Sequence, residues 1–316
     1  RDRASGKRGC AVTPGPGIAR TPLPQGFLAS GVNCGVRRYR PDFGLIVSDR
    51  PAVGAGVFTE NRFAAAPVHY CRSILPSASI RAIVTNSGQA NAATGPEGVE
   101  NNRQLAFEVA KELECFPREV LIASTGVIGP QLDMAKLIPA IPELVERATD
   151  TAENFSLAIL TTDLVPKTVS TELKLSKGSV RITGICKGSG MIHPNMATML
   201  GYLLTDAIVP LGKAHAYLKE AVDVSFNMIS VDGDSSTNDA VFLMANGASG
   251  VALNTLEDER KFEAALREIS TLLAQSIAID GEGATKLVEI RVKGAPDLAT
   301  ARRAARGVTV SPLVKT

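Results

Sequence analysis

A chain of 316 residues with 45% hydrophobic and 21% charged side chains can bury a sizeable core, and 34 basic against 32 acidic residues leave no basic footprint for a nucleic-acid backbone. Aromatic residues are 4% and tryptophan is absent, so base-stacking platforms are scarce and the core falls to Val, Ile, Leu, Ala and Met. Cys10, Cys34, Cys71, Cys115 and Cys186 are odd in number and form no CxxC, which argues against a disulfide framework or a zinc site, and no apolar run reaches membrane-spanning length. A soluble, cytoplasmic protein is the expectation.

Residues 1–20 hold five basic residues and one acidic among Gly and Pro, and are expected to be a disordered tail. The tail lacks the apolar segment of a secretory signal; its Arg-rich, acid-poor make-up fits a transit-peptide remnant, hence an organellar matrix, or a stretch extraneous to the fold.

Beyond it, the runs at 43–49, 54–61 and 80–88 are rich in Val and Ile and end at Gly, Asn or Asp, as strands do. Residues 98–114 place Leu105, Val109 and Leu113 at helical spacing. A strand at 118–129 breaks into a glycine turn, and 133–148 reads as a helix divided by its prolines. Two alternating runs around Lys177-Gly178 predict a hairpin over 168–190. Further on, the patterns predict helices at 211–229, 256–279 and 297–307 and strands at 240–249 and 286–295, with a last strand beginning in "GVTVSPLVKT". Strands mixed with helices without strict alternation favour a layered α+β sandwich.

Three chemistries have little support. "DGDSSTND" (232–239) starts like a calcium loop but has Thr237 where glycine is needed and Leu243 where a bidentate Glu is needed; a polar loop tied to its own backbone is preferred. "KGSG" and "GEGATK" match neither phosphate-loop pattern. Of His69, His193 and His215, only His193 lies near a candidate nucleophile, five residues before Thr198, and a single local histidine is more often structural than a base.

What remains is "KGSGMIHPNMATMLGYLL" (187–204), a polar loop running into an apolar strand with Thr198 at the junction. A threonine hydroxyl needs a base, and a threonine at a chain N-terminus carries one in its own α-amine, whose ordinary pKa is about 7.7–8.0. Attack of that hydroxyl on the small, approachable Ala197 carbonyl would free the terminus. Thr125 and the Gly126 N–H in "ASTGVIG" are candidate oxyanion donors. The residues alone leave this open beside the plain reading, a threonine at the start of a strand.

The ordered blocks "PQGFLASGVNCGV", "AGVFTENRFAAAPV", "TNSGQANAATG", "ASTGVIG", "AILTTDLVPK", "KGSGMIHPNMATML", "SFNMISVDGDSSTNDAVFLMANG" and "DGEGATKLVEIRVKGA" together resemble the ArgJ family, the glutamate N-acetyltransferases or ornithine acetyltransferases. The resemblance implies an α/β/β/α sandwich, also seen in aminopeptidases of the DmpA kind. It implies self-cleavage between Ala197 and Thr198, giving an α chain of 21–197 after the tail and a β chain of 198–316. Thr198 would carry the acetyl group of N2-acetylornithine to glutamate in arginine biosynthesis, with Thr125 and Gly126 as oxyanion hole. Thr161, Lys187 and Glu282 would join Thr198 in substrate binding: Lys187 could face a carboxylate and Glu282 an ammonium, against plain alternatives of a solvated loop charge and a helix-cap acid. No metal or cofactor is implied, although acetyl-CoA serves some members as acetyl donor. The α and β chains would stay associated, as α2β2 or α4β4. This chain reads Gln89 and Ala93 where the family usually has Asn and Cys, and members continue past "SPLVKT", so a missing C-terminal segment is expected. A DmpA-like aminopeptidase and an inactive truncated homologue are the alternatives.

Overall fold

The structure, a computed structural model, describes residues 20–192 and 199–315. The chain enters through β1 (Phe27–Val32) and β2 (Phe43–Phe58), which pair antiparallel. The runs 43–49 and 54–61 are thus one 16-residue strand. The Asp49-Arg50-Pro51 break between them is absorbed as a bulge, because the register against the next strand shifts between Val47 and Ala52, where proline costs no ladder hydrogen bond.

Helix α1 (Ala66–Ile74), β3 (Ser77–Asn86), α2 (Gly95–Glu112) and β4 (Val120–Ser124) follow. Helix α2 buries Leu105 and Val109, as their spacing predicts, together with Ala106 and Ala110, while Leu113 is its half-buried C-cap residue. The prolines of 133–148 divide it into α3 (Met134–Leu137), a 3₁₀ turn and α4 (Ile141–Glu146). After α5 (Glu153–Ala158), β5 (Lys167–Leu175) and β6 (Gly178–Lys187) form the expected hairpin, with Leu175 opposite Gly178. Next come β7 (Leu200–Thr205), α6 (Leu211–Asp223), β8 (Ala240–Ala245) and α7 (Leu256–Ile279). The Thr255 hydroxyl caps α7 by accepting the Asp258 N–H at 3.0 Å.

The described strands run in the order β4-β3-β2-β8-β7-β6-β5, with β1 added on β2. Alternating side chains build three apolar layers. Val180, Ile182, Leu203, Val241 and Leu243 face Leu218, Phe262, Leu266 and Ile269 of α6 and α7. Phe43, Leu45, Val84, Val120 and Ile122 face Leu105, Val109, Ile141 and Leu144 of α2 and α4. The opposite strand faces meet in the middle, where Ile46, Ile83 and Leu121 share a cluster with Ile185, Leu200, Tyr202, Phe242 and Met244. The strands form one continuous hydrogen-bonded sheet whose two halves, joined through the long β2, face each other across this cluster, so the layering is helix, sheet, sheet, helix, as expected. Tyr202 stands at its centre: its ring is edge-on to Phe155 with centroids 4.9 Å apart, and its hydroxyl pairs with that of Thr85 on β3 at 2.9 Å.

Two expectations fail near the C-terminal end. Residues 286–295 do not form a strand, and Leu287 and Val288 are exposed. An alternating run becomes a strand only beside a free edge, and no described strand pairs with it. The helix predicted at 297–307 forms as α8 (Leu298–Thr309), capped by Asp297 accepting the Thr300 N–H at 2.7 Å, but the last run is not extended: α8 continues into it and α9 (Pro312–Lys315) follows. The Ala- and Arg-rich sequence of α8 favours that outcome.

Candidate active site

Strand register gathers the candidate residues at one end of the sheet. Lys187 closes β6 opposite Leu200, which opens β7; Leu200 is paired with Ala240, which opens β8. Thr125 follows the end of β4, its N–H bonded to the Asn86 carbonyl at 2.9 Å. The Asn238 amide ties these elements together by donating to the carbonyls of Ser124 at 2.9 Å and Ala90 at 2.6 Å.

Thr125 is buried and Gly126 exposed. Gly126 has φ +124°, and a Cβ there would lie 2.4 Å from the Gly88 carbonyl oxygen, so only glycine fits. Its N–H has no hydrogen-bond acceptor among the described residues. A hydroxyl and a free backbone N–H thus stand side by side.

Lys187 is not a solvated loop charge: it is 2% exposed, and its Nζ donates to Thr125 Oγ1 at 3.4 Å. An ammonium can only donate, so the Thr125 hydrogen is left free to point elsewhere. Burial pushes the Lys187 pKa below the usual lysine range, against the pull of Asp163 and Asp239.

Asp163, two residues beyond Thr161, organises the surrounding loops. Its Oδ2 accepts the Thr161 N–H at 3.1 Å, and its Oδ1 accepts from the Gly188 N–H at 2.7 Å and from Lys167 Nζ at 2.8 Å. Lys167 also donates to Asp280 Oδ2 at 2.6 Å, and all three side chains are buried. Burial raises Asp163, but Lys187, Lys167 and the Gly188 N–H outweigh it and hold the carboxyl below the usual carboxylate range. Burial lowers Lys167, but Asp163 and Asp280 more than reverse it.

Glu282 joins from the far side. Its N–H donates to the Ser189 carbonyl at 3.0 Å, and Ser189 Oγ donates to the Asp280 carbonyl at 2.6 Å. A Cβ on Gly190 would come within 2.5 Å of the Glu282 carboxyl, so that carboxyl lies directly over the "KGSG" loop. Glu282 also lines a cavity of about 540 Å³ with Ser230, Val231, Thr309 and Lys315.

Thr125, Gly126, Thr161, Lys187 and Glu282 therefore lie in one connected network. Ala197, Thr198 and His193 fall outside the described residues. Sequence reasoning missed Asp163, Lys167, Asp239 and Asp280. The first two stand four apart in "TTDLVPK" and the last opens "DGEG", but charges separated by more than a hundred residues give no local sign that they pair. The "DGDSSTND" loop does tie down backbone: Asp232 accepts the N–H groups of Met191, Ile192 and Asp234, the last two at 2.9 and 3.1 Å.

The layered fold is one shared with a known solved structure. It matches the L-aminopeptidase D-Ala-esterase/amidase of Ochrobactrum anthropi, described as a variant of the Ntn-hydrolase fold, with a TM-score of 0.51 over 84% of this chain and 89% of that one, at 10% identity. Within that fold the chain belongs to the ArgJ family, whose model matches residues 28–316. It is 47% identical over 298 residues to the arginine biosynthesis bifunctional protein ArgJ of Chlorobaculum tepidum, covering 93% of this chain and 73% of that protein. It is 35% identical to the Mycobacterium tuberculosis ornithine acetyltransferase solved with ornithine, with a TM-score of 0.51 over 54% of this chain and 92% of that one.

Proposed function

We propose that this enzyme is an acyltransferase of arginine biosynthesis that moves the acetyl group of N2-acetylornithine to glutamate through an acetyl ester on Thr198. The observation that carries the reading is the pair of donors at the end of β4, the Thr125 hydroxyl released by Lys187 and the Gly126 N–H, which has no acceptor among the described residues. Family membership and the ornithine-bound relative support it.

Thr198 becomes a terminus by attack of its hydroxyl on the Ala197 carbonyl, followed by hydrolysis of the ester. Its α-amine, with an ordinary pKa of about 7.7–8.0, then takes the hydroxyl proton as Thr198 attacks the acetyl carbonyl. Negative charge gathers on the carbonyl oxygen, and donors placed for it stabilise the transition state more than the ground state. Ornithine leaves with the proton. Glutamate then attacks the ester, and the acetyl group passes to its amine. Thr161 and Glu282 flank this chemistry, with Glu282 suited to an ammonium and Lys187 to a carboxylate. Acetyl-CoA as an alternative donor belongs to the same acyl-enzyme scheme, which needs no metal or resident cofactor.

The topology bears on the cleaved state. Strands β7 and β8, from the 198–316 side, lie between β2 and β6, from the 21–197 side. The two pieces would share one sheet and stay associated, and α2β2 or α4β4 assembly builds on that unit. No helix among the described residues is long and apolar enough to cross a membrane.

The test is intact mass under denaturing conditions combined with acetyl transfer. Two fragments divided before Thr198, transfer from N2-acetylornithine to glutamate, and loss of both in Thr198→Ala are expected. A single uncut chain, or hydrolysis of peptide amides in place of acetyl transfer, would overturn the reading.

A further inference from the structure

The polar loop 232–239 reaches the oxyanion turn through one side chain. Asn238 is 7% exposed, and its amide donates to carbonyls on two other segments, Ala90 at 2.6 Å and Ser124 at 2.9 Å. The amide is held in that orientation. Its Oδ1 accepts the Thr237 hydroxyl at 2.6 Å, and the flipped group would set an oxygen against two carbonyl oxygens. The loop that carries it is pinned as well. The Asn238 N–H donates to Ser236 Oγ at 3.0 Å, the Ser236 carbonyl accepts the Thr59 hydroxyl at 2.8 Å, and the Thr237 carbonyl accepts the Ala65 N–H at 2.9 Å.

Those bonds bear on the direction of the Gly126 N–H. A peptide group is planar, so holding its C=O and N–H holds the plane. The Ser124–Thr125 peptide is held at both ends, its oxygen by Asn238 and its N–H by the Asn86 carbonyl at 2.9 Å. The Gly126–Val127 peptide is held by its N–H, which donates to the Gly88 carbonyl at 3.1 Å. Between them lies the Thr125–Gly126 peptide, whose N–H has no acceptor among the described residues. Glycine takes positive and negative φ about equally, so Gly126 at φ +124° does not by itself aim that N–H. The held peptides on either side do. The second Asn238 bond acts on the same turn from across it, because the Ala90 N–H donates to the Val127 carbonyl at 2.9 Å.

We propose that Asn238 is a positioning residue for acyl transfer: its amide locks the Ser124–Thr125 peptide, so that the Gly126 N–H keeps the aim of an oxyanion donor. This rests on the acyl-transfer reading above. Asn238 acts through backbone, by way of Ser124 and Ala90, and its own amide hydrogens are already engaged there. A donor lowers the barrier only if it is in place before charge develops, and a turn free to rotate would have to reorganise at each turnover. Without the amide, the Ser124 and Ala90 carbonyls lose these donors and the Thr125–Gly126 peptide loses one of its two fixed neighbours.

The full chain is compared with Asn238→Ala, which keeps Thr125, Gly126 and Lys187 but removes the amide. Steady-state kinetics of acetyl transfer from N2-acetylornithine to glutamate give kcat and KM separately. A fall in kcat of about 10–10²-fold is expected, short of the roughly 10²–10³-fold of a donor removed outright, with KM for both substrates within about 2-fold of wild type. General loosening of the site would also disturb the Thr161 and Glu282 loops and raise KM. An unchanged kcat, or a KM that rises as much as kcat falls, overturns the proposal, while transfer by the wild type leaves the underlying reading standing. A wild-type chain that transfers no acetyl group overturns both. Thr237→Val decides should Asn238→Ala not fold or not be cut, because it keeps the amide and removes the hydroxyl that orients it. A fall in kcat of about 3–10-fold at unchanged KM supports the proposal, on the scale of one hydrogen bond, and full kcat overturns it.

Discussion

The Lys187 ammonium and the Thr125 hydroxyl face each other at 3.4 Å in a buried setting. Lysine has no acceptor, so the contact fixes Thr125 Oγ1 as acceptor and leaves its hydrogen for another group. Lys187 thereby acts through Thr125, beyond any contact of its own with substrate.

Replacing either partner should show this division. Thr125→Ala removes one oxyanion donor and is expected to lower kcat for acetyl transfer by about 10²–10³-fold with little change in KM. Lys187→Met should lower kcat in the same sense, because Thr125 Oγ1 is then free to turn its hydrogen away. Steady-state kinetics with N2-acetylornithine and glutamate separate the two constants. A change confined to KM in both variants would place them in binding alone.

Gly126 permits a different check. Its φ of +124° and the 2.4 Å from a would-be Cβ to the Gly88 carbonyl oxygen leave no room for alanine. The obstruction is backbone, which cannot swing aside. Gly126→Ala should displace the 125–127 turn, abolish measurable turnover and lower the melting temperature. The companion Gly129→Ala has positive φ but open space around it, and should cost stability through backbone strain alone, about 1–3 kcal/mol, with turnover retained.

The buried cluster of Asp163, Lys167 and Asp280 ties the Thr161 loop to Gly188 and to the end of α7. Asp163 is held below its ordinary range, so its contribution is fully present above the unfolded value near pH 3.9 and is lost as pH falls through the lower folded value. Lys167 is held above its ordinary range, so its contribution is fully present below about pH 10.4 and is lost as pH rises through the folded value. Asp163→Asn leaves Lys167 with Asp280 as its single buried carboxylate, beside the Val165 carbonyl, and should cost about 3–5 kcal/mol at pH 7. Urea unfolding at pH 7 and at pH 3 tests this cost and the Asp163 dependence: the gap between wild type and variant should narrow at the lower pH.

Much of the layering was legible because it follows periodicity. Helix α7 occupies the predicted 256–279, and the hairpin forms about its predicted turn. Quoted blocks marked Thr125, Gly126, Thr161, Lys187 and Glu282, and the fold brings them together. What was not legible depends on distance in the chain. Nothing local shows that Lys167 meets Asp280, or that Asp239 in an apparent calcium-type loop turns to the Met199 N–H. Residues 286–295 mislead for the converse reason: their alternation is genuine, but strand formation depends on an edge the local sequence does not contain.

Tyr202 offers a stability test remote from the chemistry. Its hydroxyl bonds that of Thr85 at 2.9 Å across the central apolar layer. Tyr202→Phe keeps the ring contacts with Phe155 and Phe242 but leaves the Thr85 hydroxyl buried without that partner. A loss of about 1–3 kcal/mol in urea unfolding is expected, with kcat unchanged. The double variant Tyr202→Phe/Thr85→Val should recover part of the loss, because the orphaned hydroxyl is then removed.

Gly190 tests whether Glu282 handles substrate. A Cβ at this position would meet the Glu282 carboxyl at 2.5 Å, but that carboxyl is the far end of a flexible, exposed side chain. It can swing away, so Gly190→Ala should cost little stability. Displacing the carboxyl from above the loop should weaken the grip on the ornithine ammonium, raising KM for N2-acetylornithine by about 10-fold while kcat changes far less. One lost charge-assisted contact, worth about 1.5–3 kcal/mol, sets that scale. Glu282→Gln should raise KM in the same direction, and combining it with Gly190→Ala should add little, since both changes remove the same contact. Additive losses in the double variant would show that Gly190 acts through the loop backbone and not through Glu282.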